Sequence, residues 1–141
     1  MIDLIINNKN ALQEWGVMMG DNFIDNILSP APLKEFIENE SGLEDGKRVI
    51  SSSPKLADRD VSLTFTIQGD NESDYIAKYK SFVSELQKGE MVIMVPVLGS
   101  EIYRLIYKKS TGFAQNSLRT FSKLIVSFNE PNPANRNNGI K

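Results

Sequence analysis

The chain has no cysteine and no histidine among its 141 residues. The lack of cysteine removes disulfides and thiol nucleophiles, and the lack of both residue types removes nearly every kind of zinc site. Histidine is also the commonest general acid and base near neutral pH, so catalysis would have to rest on carboxylates, lysine, serine or tyrosine. Because no catalytic motif is present either, the sequence predicts no catalytic residues, no metal and no cofactor.

Long apolar runs and charge of one sign are also missing. No apolar run approaches the roughly 18 residues that indicate a membrane-spanning helix, and Asp3 stands where a signal peptide carries lysine or arginine. The 16 basic and 18 acidic residues give a net charge of -2 without a long run of either sign, which argues against a nucleic-acid surface. We expect a soluble protein made in a cytoplasm, without membrane insertion or specific nucleic-acid binding.

The length suits one domain, which at this size buries about 68 to 70% of the surface of its unfolded chain. Residues 131–141 contain Pro131, Pro133 and several asparagines, with little apolar surface to hold them in place. We therefore predict a single domain over residues 1–130 and a flexible tail over residues 131–141.

Two elements are legible from periodicity. Residues 60–68 alternate apolar and polar side chains, which predicts a half-buried strand. In residues 74–88 the apolar side chains fall on one arc of about 120° at about 100° per residue, which predicts an amphipathic helix. Asn71 or Ser73 supplies its N-cap and Gly89 its C-cap.

The rest of the chain indicates short strands. They are predicted at Leu4–Ile6, Leu12–Met19, Leu33–Glu38, Lys47–Ile50, Met91–Val97, Glu101–Lys108, Ser110–Gln115 and Arg119–Phe128. Several strands of the C-terminal half are apolar on both faces, and one helix covers only one face of a few strands, so a second sheet or another subunit must cover the rest. The predicted fold is mainly β with one principal helix, an α+β protein built as a β-sandwich flanked by that helix.

Two accounts of the surplus apolar surface stay open. In one, a second sheet from the N-terminal strands does all the covering; the other, which we favour, adds a self-association surface. Its support is an apolar group within residues 21–28, a segment that reads either as a turn or two of helix or as a hydrophobic arm. The candidate interface residues are Phe23, Ile24, Ile27, Leu28, Met91, Ile93, Val95, Phe121 and Ile125.

Two polar segments lie between the strands. The carboxylates Glu35, Glu38, Glu40, Glu44 and Asp45 suit either a glycosidase pair or a solvated acidic edge, and we favour the edge. Residues 51–59 are polar and rich in breakers, which predicts a mobile loop. Its named residues are Ser51, Ser52, Ser53, Pro54, Lys55 and Arg59.

The order of these parts resembles the N-terminal domain of siphophage distal tail proteins, over roughly residues 45–130. The resemblance rests on the strand within Asp58–Gly69, the helix positions Tyr79, Phe82 and Leu86, Gly89, and the Tyr103-Arg104 pair. The closing segment 128–133 and the Asn-rich opening also look like tail proteins from phages or prophages of Bacteroides-type bacteria.

The resemblance implies a structural protein, not an enzyme. Members of this family form hexameric rings at the tail tip, joining the tail tube to the baseplate hub, with a fold related to that of the tube. The implied partners are copies of itself and other tail proteins, the implied location is the virion tail, and residues 51–59 would line the lumen or grip the next ring. The chain would be a short form without the carbohydrate-binding-like domain of many members.

Two other functions remain as alternatives. A tail-tube or tail-terminator subunit would share the fold and also form rings. A small tail-associated enzyme that cleaves glycan or peptidoglycan would need two convergent carboxylates.

Overall fold

The computed structural model describes residues 2–34 and 55–137. The strands are β1 (Ile5–Ile6), β2 (Lys9–Asn10), β3 (Val17–Met19), β4 (Arg59–Gln68), β5 (Glu90–Met94), β6 (Ile102–Gln115) and β7 (Phe121–Glu130). The helices are α1 (Ala11–Trp15), α2 (Phe23–Ile27) and α3 (Glu72–Leu86), and a short 3-10 turn covers Pro96–Leu98.

All seven strands belong to one antiparallel sheet in the order β2-β1-β5-β6-β7-β4-β3. The β4–β7 pair runs without interruption from Arg59 opposite Glu130 to Gln68 opposite Phe121. The predicted α+β class with one principal helix is confirmed. The N-terminal strands extend the two edges of this sheet, so they do not form the second layer that the predicted sandwich required.

The core lies on one face of the sheet, beneath the helices. Phe65 of β4 is fully buried at its centre, and its ring centroid lies 5.4 Å from that of Phe23, 5.2 Å from that of Phe82 and 6.2 Å from that of Phe128. Trp15 of α1 packs on Phe82 of α3, with centroids 5.7 Å apart. Because these aromatic pairs link α2, β4, β7, α3 and α1, they join the sheet and its helices into one core.

The predicted strand over residues 60–68 and helix over residues 74–88 are confirmed as β4 and α3. The Asn71 side chain is the N-cap of α3, since its oxygen accepts from the backbone N–H of Asp74 at 2.8 Å. At the other end, Gly89 adopts a positive φ of 103° and donates its backbone N–H to Leu86. The predicted glycine therefore lies just beyond the end of the helix, which occurs at Leu86.

The strand predicted over Leu12–Met19 is wrong in its first half, where α1 forms instead. Asn10 caps this helix by accepting from the backbone N–H groups of Leu12 and Gln13. Gly16 ends it with a φ of 65°, and a Cβ at this position would collide with the carbonyl oxygen of Gln68. The Asn10 cap and the turn at Gly16 favour a helix over the strand that the apolar alternation predicted. Only the second half of the predicted strand forms, as β3.

Other boundaries shift in the C-terminal half. The two strands predicted over residues 101–115 are one strand, β6, which stays paired with β7 through two register shifts. The strand predicted over Met91–Val97 ends at Met94, and Pro96 begins the 3-10 turn. The strands predicted at Leu33–Glu38 and Lys47–Ile50 lie outside the described residues, apart from Leu33, which forms an isolated bridge with Leu56, and Lys34.

Residues 131–137, which we call the C-terminal strap, lie against the start of β6. The Ile102 backbone N–H donates to the Arg136 carbonyl at 3.0 Å, and the Arg104 guanidinium donates to the carbonyls of Asn135 and Asn137 at 3.0 and 2.7 Å. Pro133 is buried. These contacts correct the prediction of a flexible tail for the strap; residues 138–141 lie outside the described part of the chain.

Candidate oligomer interface

Five of the nine predicted interface residues are buried inside the chain. Phe23 and Ile27 have exposures of 1% and 0%, and Met91, Ile93 and Val95 are each at 0%. Side chains enclosed in this way cannot reach a neighbouring subunit, so these five predicted contacts are wrong and the residues belong to the core.

The segment at residues 21–28 is buried because α2 docks along β4. The backbone N–H of Gly20 donates to Thr64 at 2.8 Å, and the Asn26 side chain donates to the Ser62 carbonyl at 2.9 Å. These bonds satisfy carbonyls of β4 beyond the short pairing with β3. The helix therefore covers part of a strand edge, and the alternative of a free hydrophobic arm is wrong.

The other four predicted interface residues reach the surface. Leu28, just after α2, is 52% exposed and Ile24 is half-buried. Phe121 and Ile125, both on β7, are 36% and 37% exposed. These four residues stay candidates for a contact between subunits.

Phe121 and Ile125 lie on the face of the sheet opposite to the core. Alternation along β7 places its odd-numbered residues on this side, and the register aligns them with polar positions of β4. We call this surface the outer sheet face; it is formed by Met18, Thr64, Thr66, Phe121, Lys123 and Ile125.

Ile125 has small side chains on both sides of it in the sheet. Thr64 lies beside it on β4 and Gly112 beside it on β6. A Cβ at Gly112 would be 3.0 Å from the Ile125 Cδ1, so the isoleucine side chain leans over the glycine. A side chain at residue 112 would therefore require the end of the Ile125 side chain to shift by a few tenths of an ångström.

The outer sheet face carries little charge. Lys123 pairs with Asp21 at 3.0 Å, with both side chains at least half exposed, and an exposed pair of this kind contributes little stability. The other members are threonine, methionine, phenylalanine and isoleucine. Aromatic residues and methionine are enriched in the centres of protein–protein interfaces, so this composition suits a contact with another protein.

A buried charged cluster, not expected from the sequence, lies under the opposite face. Glu130 of β7 is fully buried, and its carboxylate accepts from Arg59 Nε at 2.6 Å and from Arg136 Nε and Nη2 at 3.0 Å each. The Tyr103 ring lies within 6.0 Å of the Arg59 guanidinium and 4.8 Å of that of Arg136. We call these four residues the arginine–glutamate cluster.

The prediction that Arg59 belongs to a mobile loop is wrong. Arg59 is 5% exposed and begins β4, where its guanidinium also donates to the carbonyls of Ile27 and Ser29. Lys55 is exposed, whereas Ser51, Ser52, Ser53 and Pro54 lie outside the described residues. The polar composition of residues 51–59 led to this wrong prediction. The sequence gives no local sign of burial for Arg59, because its partner Glu130 lies 71 positions away in the chain.

Electrostatics within the cluster favour its charged forms. Burial raises the pKa of Glu130, but the hydrogen bonds from Arg136 and Arg59 outweigh burial and leave the pKa below its ordinary value. The hydrogen bond to Glu130 raises the pKa of Arg136. Burial raises the pKa of Tyr103, and its hydroxyl has no hydrogen-bond partner among the described residues.

The described residues contain no group of three or more acidic side chains arranged to hold a metal ion. None of the helices in residues 2–34 and 55–137 has the length and apolar character needed to cross a membrane. The acidic segment at residues 35–45, considered above for hydrolysis, lies outside the described part of the chain.

The fold is shared with a known phage protein of the adsorption apparatus. The chain is similar to the solved structure of SPP1 Dit (gp 19.1), described as a paradigm of the hub adsorption apparatus in phages that infect Gram-positive bacteria. The two match with a TM-score of 0.57 and 15% sequence identity, over 93% of this chain and 50% of SPP1 Dit. At this identity the likeness establishes the fold, and the chain spans about half the length of SPP1 Dit.

Sequence comparisons add no family. No family model matches the chain. No curated protein matches it either.

Proposed function

We propose that this chain is a structural subunit of a phage tail, a distal tail protein that forms a ring between the tail tube and the baseplate hub. The observation that supports this role is the likeness to SPP1 Dit, which extends over 93% of the chain. The proposal transfers to this chain the hub role described for that protein. Under this proposal the protein is synthesised in the cytoplasm of the bacterial host and is then part of the virion tail.

The proposed ring contact joins two different surfaces. The outer sheet face of one subunit, with Phe121 and Ile125 at its centre, meets Ile24 and Leu28 of the next. A head-to-tail contact between unlike surfaces closes into a ring when the rotation between subunits allows it. A permanent contact of this kind buries on the order of 2,000 Å² or more in total, so residues around these four must also take part.

The remaining parts of the proposal concern the number of subunits in the ring and the proteins that the ring contacts. We propose six subunits per ring, with the tail tube on one side and the hub on the other, and no specific contact with DNA. The role predicted for residues 51–59 at the lumen or the next ring stays a prediction, although Arg59 itself is buried at the start of β4. Residues 51–54 lie outside the described part of the chain.

The test is the mass of the purified chain in solution, measured by light scattering behind size exclusion across a range of concentrations. Six 15.8-kDa subunits give a species of about 95 kDa, which negative-stain imaging should show as a closed ring. Open tubes of stacked rings would favour the tail-tube alternative. A monomer at every concentration, which stays monomeric with the neighbouring tail-tube protein added, would contradict the proposal.

A further inference from the structure

Two side chains of the C-terminal strap reach into the protein, the buried Pro133 and the charged Arg136. The Arg136 guanidinium contacts both oxygens of the buried Glu130 and lies over the Tyr103 ring. The other described hydrogen bonds between the strap and β6 reach its backbone carbonyls, from Ile102 and Arg104. The two-point contact of Arg136 with Glu130 is therefore the ion pair that links the strap to the buried end of β7.

The same carboxylate fixes the end of α2. Arg59 Nε donates to Glu130 Oε1 at 2.6 Å, and the other guanidinium nitrogens of Arg59 donate to the carbonyls of Ile27 and Ser29. Ile27 is the last residue of α2 and Ser29 lies two residues beyond it, where a helix leaves backbone acceptors unsatisfied. Arg59 therefore holds the C-terminal end of α2 while Glu130 holds Arg59.

Glu130 Oε1 accepts from both arginines, so the two contacts are not independent. With Arg136 in place, Glu130 has no exposed surface, and the low local dielectric strengthens its bond to Arg59. When Arg136 leaves, water reaches the carboxylate and that bond weakens. We infer that Arg136, Glu130 and Arg59 form a relay that couples the C-terminal strap to the C-terminal end of α2.

The relay connects the strap to the surface at the end of α2 through the side chains of Glu130 and Arg59. A partner that draws the strap away from β6 would loosen the backbone of residues 27–29, where Leu28 is exposed. A contact made through Leu28 would in turn favour the seated strap, because coupling between two sites is reciprocal. The coupling itself is independent of ring formation; only its effect on subunit contacts rests on the proposed function.

The test is native-state amide hydrogen exchange on the full chain carrying Arg136→Gln. Two amides report the two ends of the relay: Ile102, which donates to the Arg136 carbonyl, and Leu28, which donates to the Ile24 carbonyl. We expect both to exchange faster, Leu28 by about tenfold, within the ~5- to 150-fold range typical of coupled sites. Arg59→Gln should accelerate the same two amides, since the relay works in both directions.

Two controls separate coupling from general loosening. Arg119→Gln removes an arginine paired with Glu72 on the surface and should leave both amides unchanged. The Gln87 amide, which donates to Val83 at the end of α3, should keep its protection in every variant. If Arg136→Gln is too unstable to study, Arg136→Lys keeps the charge without the two-point contact and should give a smaller acceleration at both amides.

Acceleration at Ile102 with unchanged protection at Leu28, in either Arg136 variant, would overturn the relay. Acceleration at both amides in a chain that never forms oligomers would support the relay while the proposed function fails.

Discussion

The two faces of β7 show how one strand serves two purposes. Its inner residues Leu124, Val126 and Phe128 are 3%, 0% and 0% exposed, whereas Phe121 and Ile125 on the outer side keep more than a third of their surface in solvent. Apolar side chains on the inner face stabilise the fold by leaving water. Those on the outer face bury less of their surface on folding and lose the rest from water only when another protein covers them. Substitutions on the outer face are therefore expected to change association more than stability.

The largest expected effect is on the inner face. Phe128→Ala removes a ring that packs on Phe65 and Tyr107, and should lower the free energy of unfolding by about 3 to 5 kcal/mol. Urea denaturation measures this loss. Phe121→Ala, the same change on the other face of the same strand, is the control and should lower stability by less than Phe128→Ala does, because Phe121 keeps 36% of its surface in solvent. Equal losses from the two variants would show that the outer face is also packed.

A loss of similar size is expected from Glu130→Gln, at the inner end of β7. The variant leaves Arg59 buried without its counter-charge, and breaking a buried pair in this way destabilises by about 3 kcal/mol or more. The variant also tests the pH dependence. Because the pKa of Glu130 in the folded state lies below its ordinary value of 4.5, its stabilisation is present above that pH and is lost as the pH falls through the folded pKa.

Urea midpoints between pH 3 and 7 measure that dependence, with the range set by the ordinary carboxyl pKa. The wild-type chain should lose stability in acid more steeply than Glu130→Gln does. Parallel curves for the two proteins would mean that other carboxylates govern acid unfolding.

On the outer face, Ile125→Asp should change association and leave the fold intact. A charge at this partly exposed site can still reach water in the single subunit, whereas an unpaired charge in a covered interface is costly. The mass measured by light scattering should fall from the ring toward the monomer. Val97→Asp, at a side chain 76% exposed in the 3-10 turn, is the matched control, and an equal fall in mass for both would remove the outer sheet face from the proposed contact.

The smallest effect is expected from Lys123→Gln in the middle of the outer sheet face. Its ion pair with Asp21 is exposed at both ends, and pairs of this kind are worth about 0.2 to 1 kcal/mol. Thermal melting in low and high salt should show a small difference that salt removes. A loss above about 2 kcal/mol would be inconsistent with a screened surface pair.

Local patterns predicted the parts of the fold that depend on local chemistry. Alternation along residues 60–68 and the Asn71 cap were sufficient for β4 and α3, because burial and capping act within a few residues. In α1 the cap of Asn10 and the turn at Gly16 were also legible, but the apolar alternation through Trp15 indicated a strand. Tertiary contact decided that segment, since Gly16 lies against Gln68 of β4.

The candidate interface was predictable only in part, for a related reason. The apolar character of Phe23 and Phe121 is the same in sequence, and only the fold shows that one packs on Phe65 while the other faces outward. The arginine–glutamate cluster joins residues 59, 130 and 136, and no local pattern indicates that the first will meet the others. Pairings between distant segments of the chain are set by the register of the sheet.

The two register shifts between β6 and β7 have a mechanical consequence. Residues 106–115 of β6 lie opposite residues 122–129 of β7, so one strand of the pair is two residues longer than the other over the same span. At about 3.3 Å per residue, the surplus contour is roughly 7 Å, and a strand absorbs such surplus by bending and extra twist. The β6–β7 hairpin is therefore bent and more strongly twisted at these shifts. Deleting one residue at either shift would change the direction in which the tip of the hairpin points.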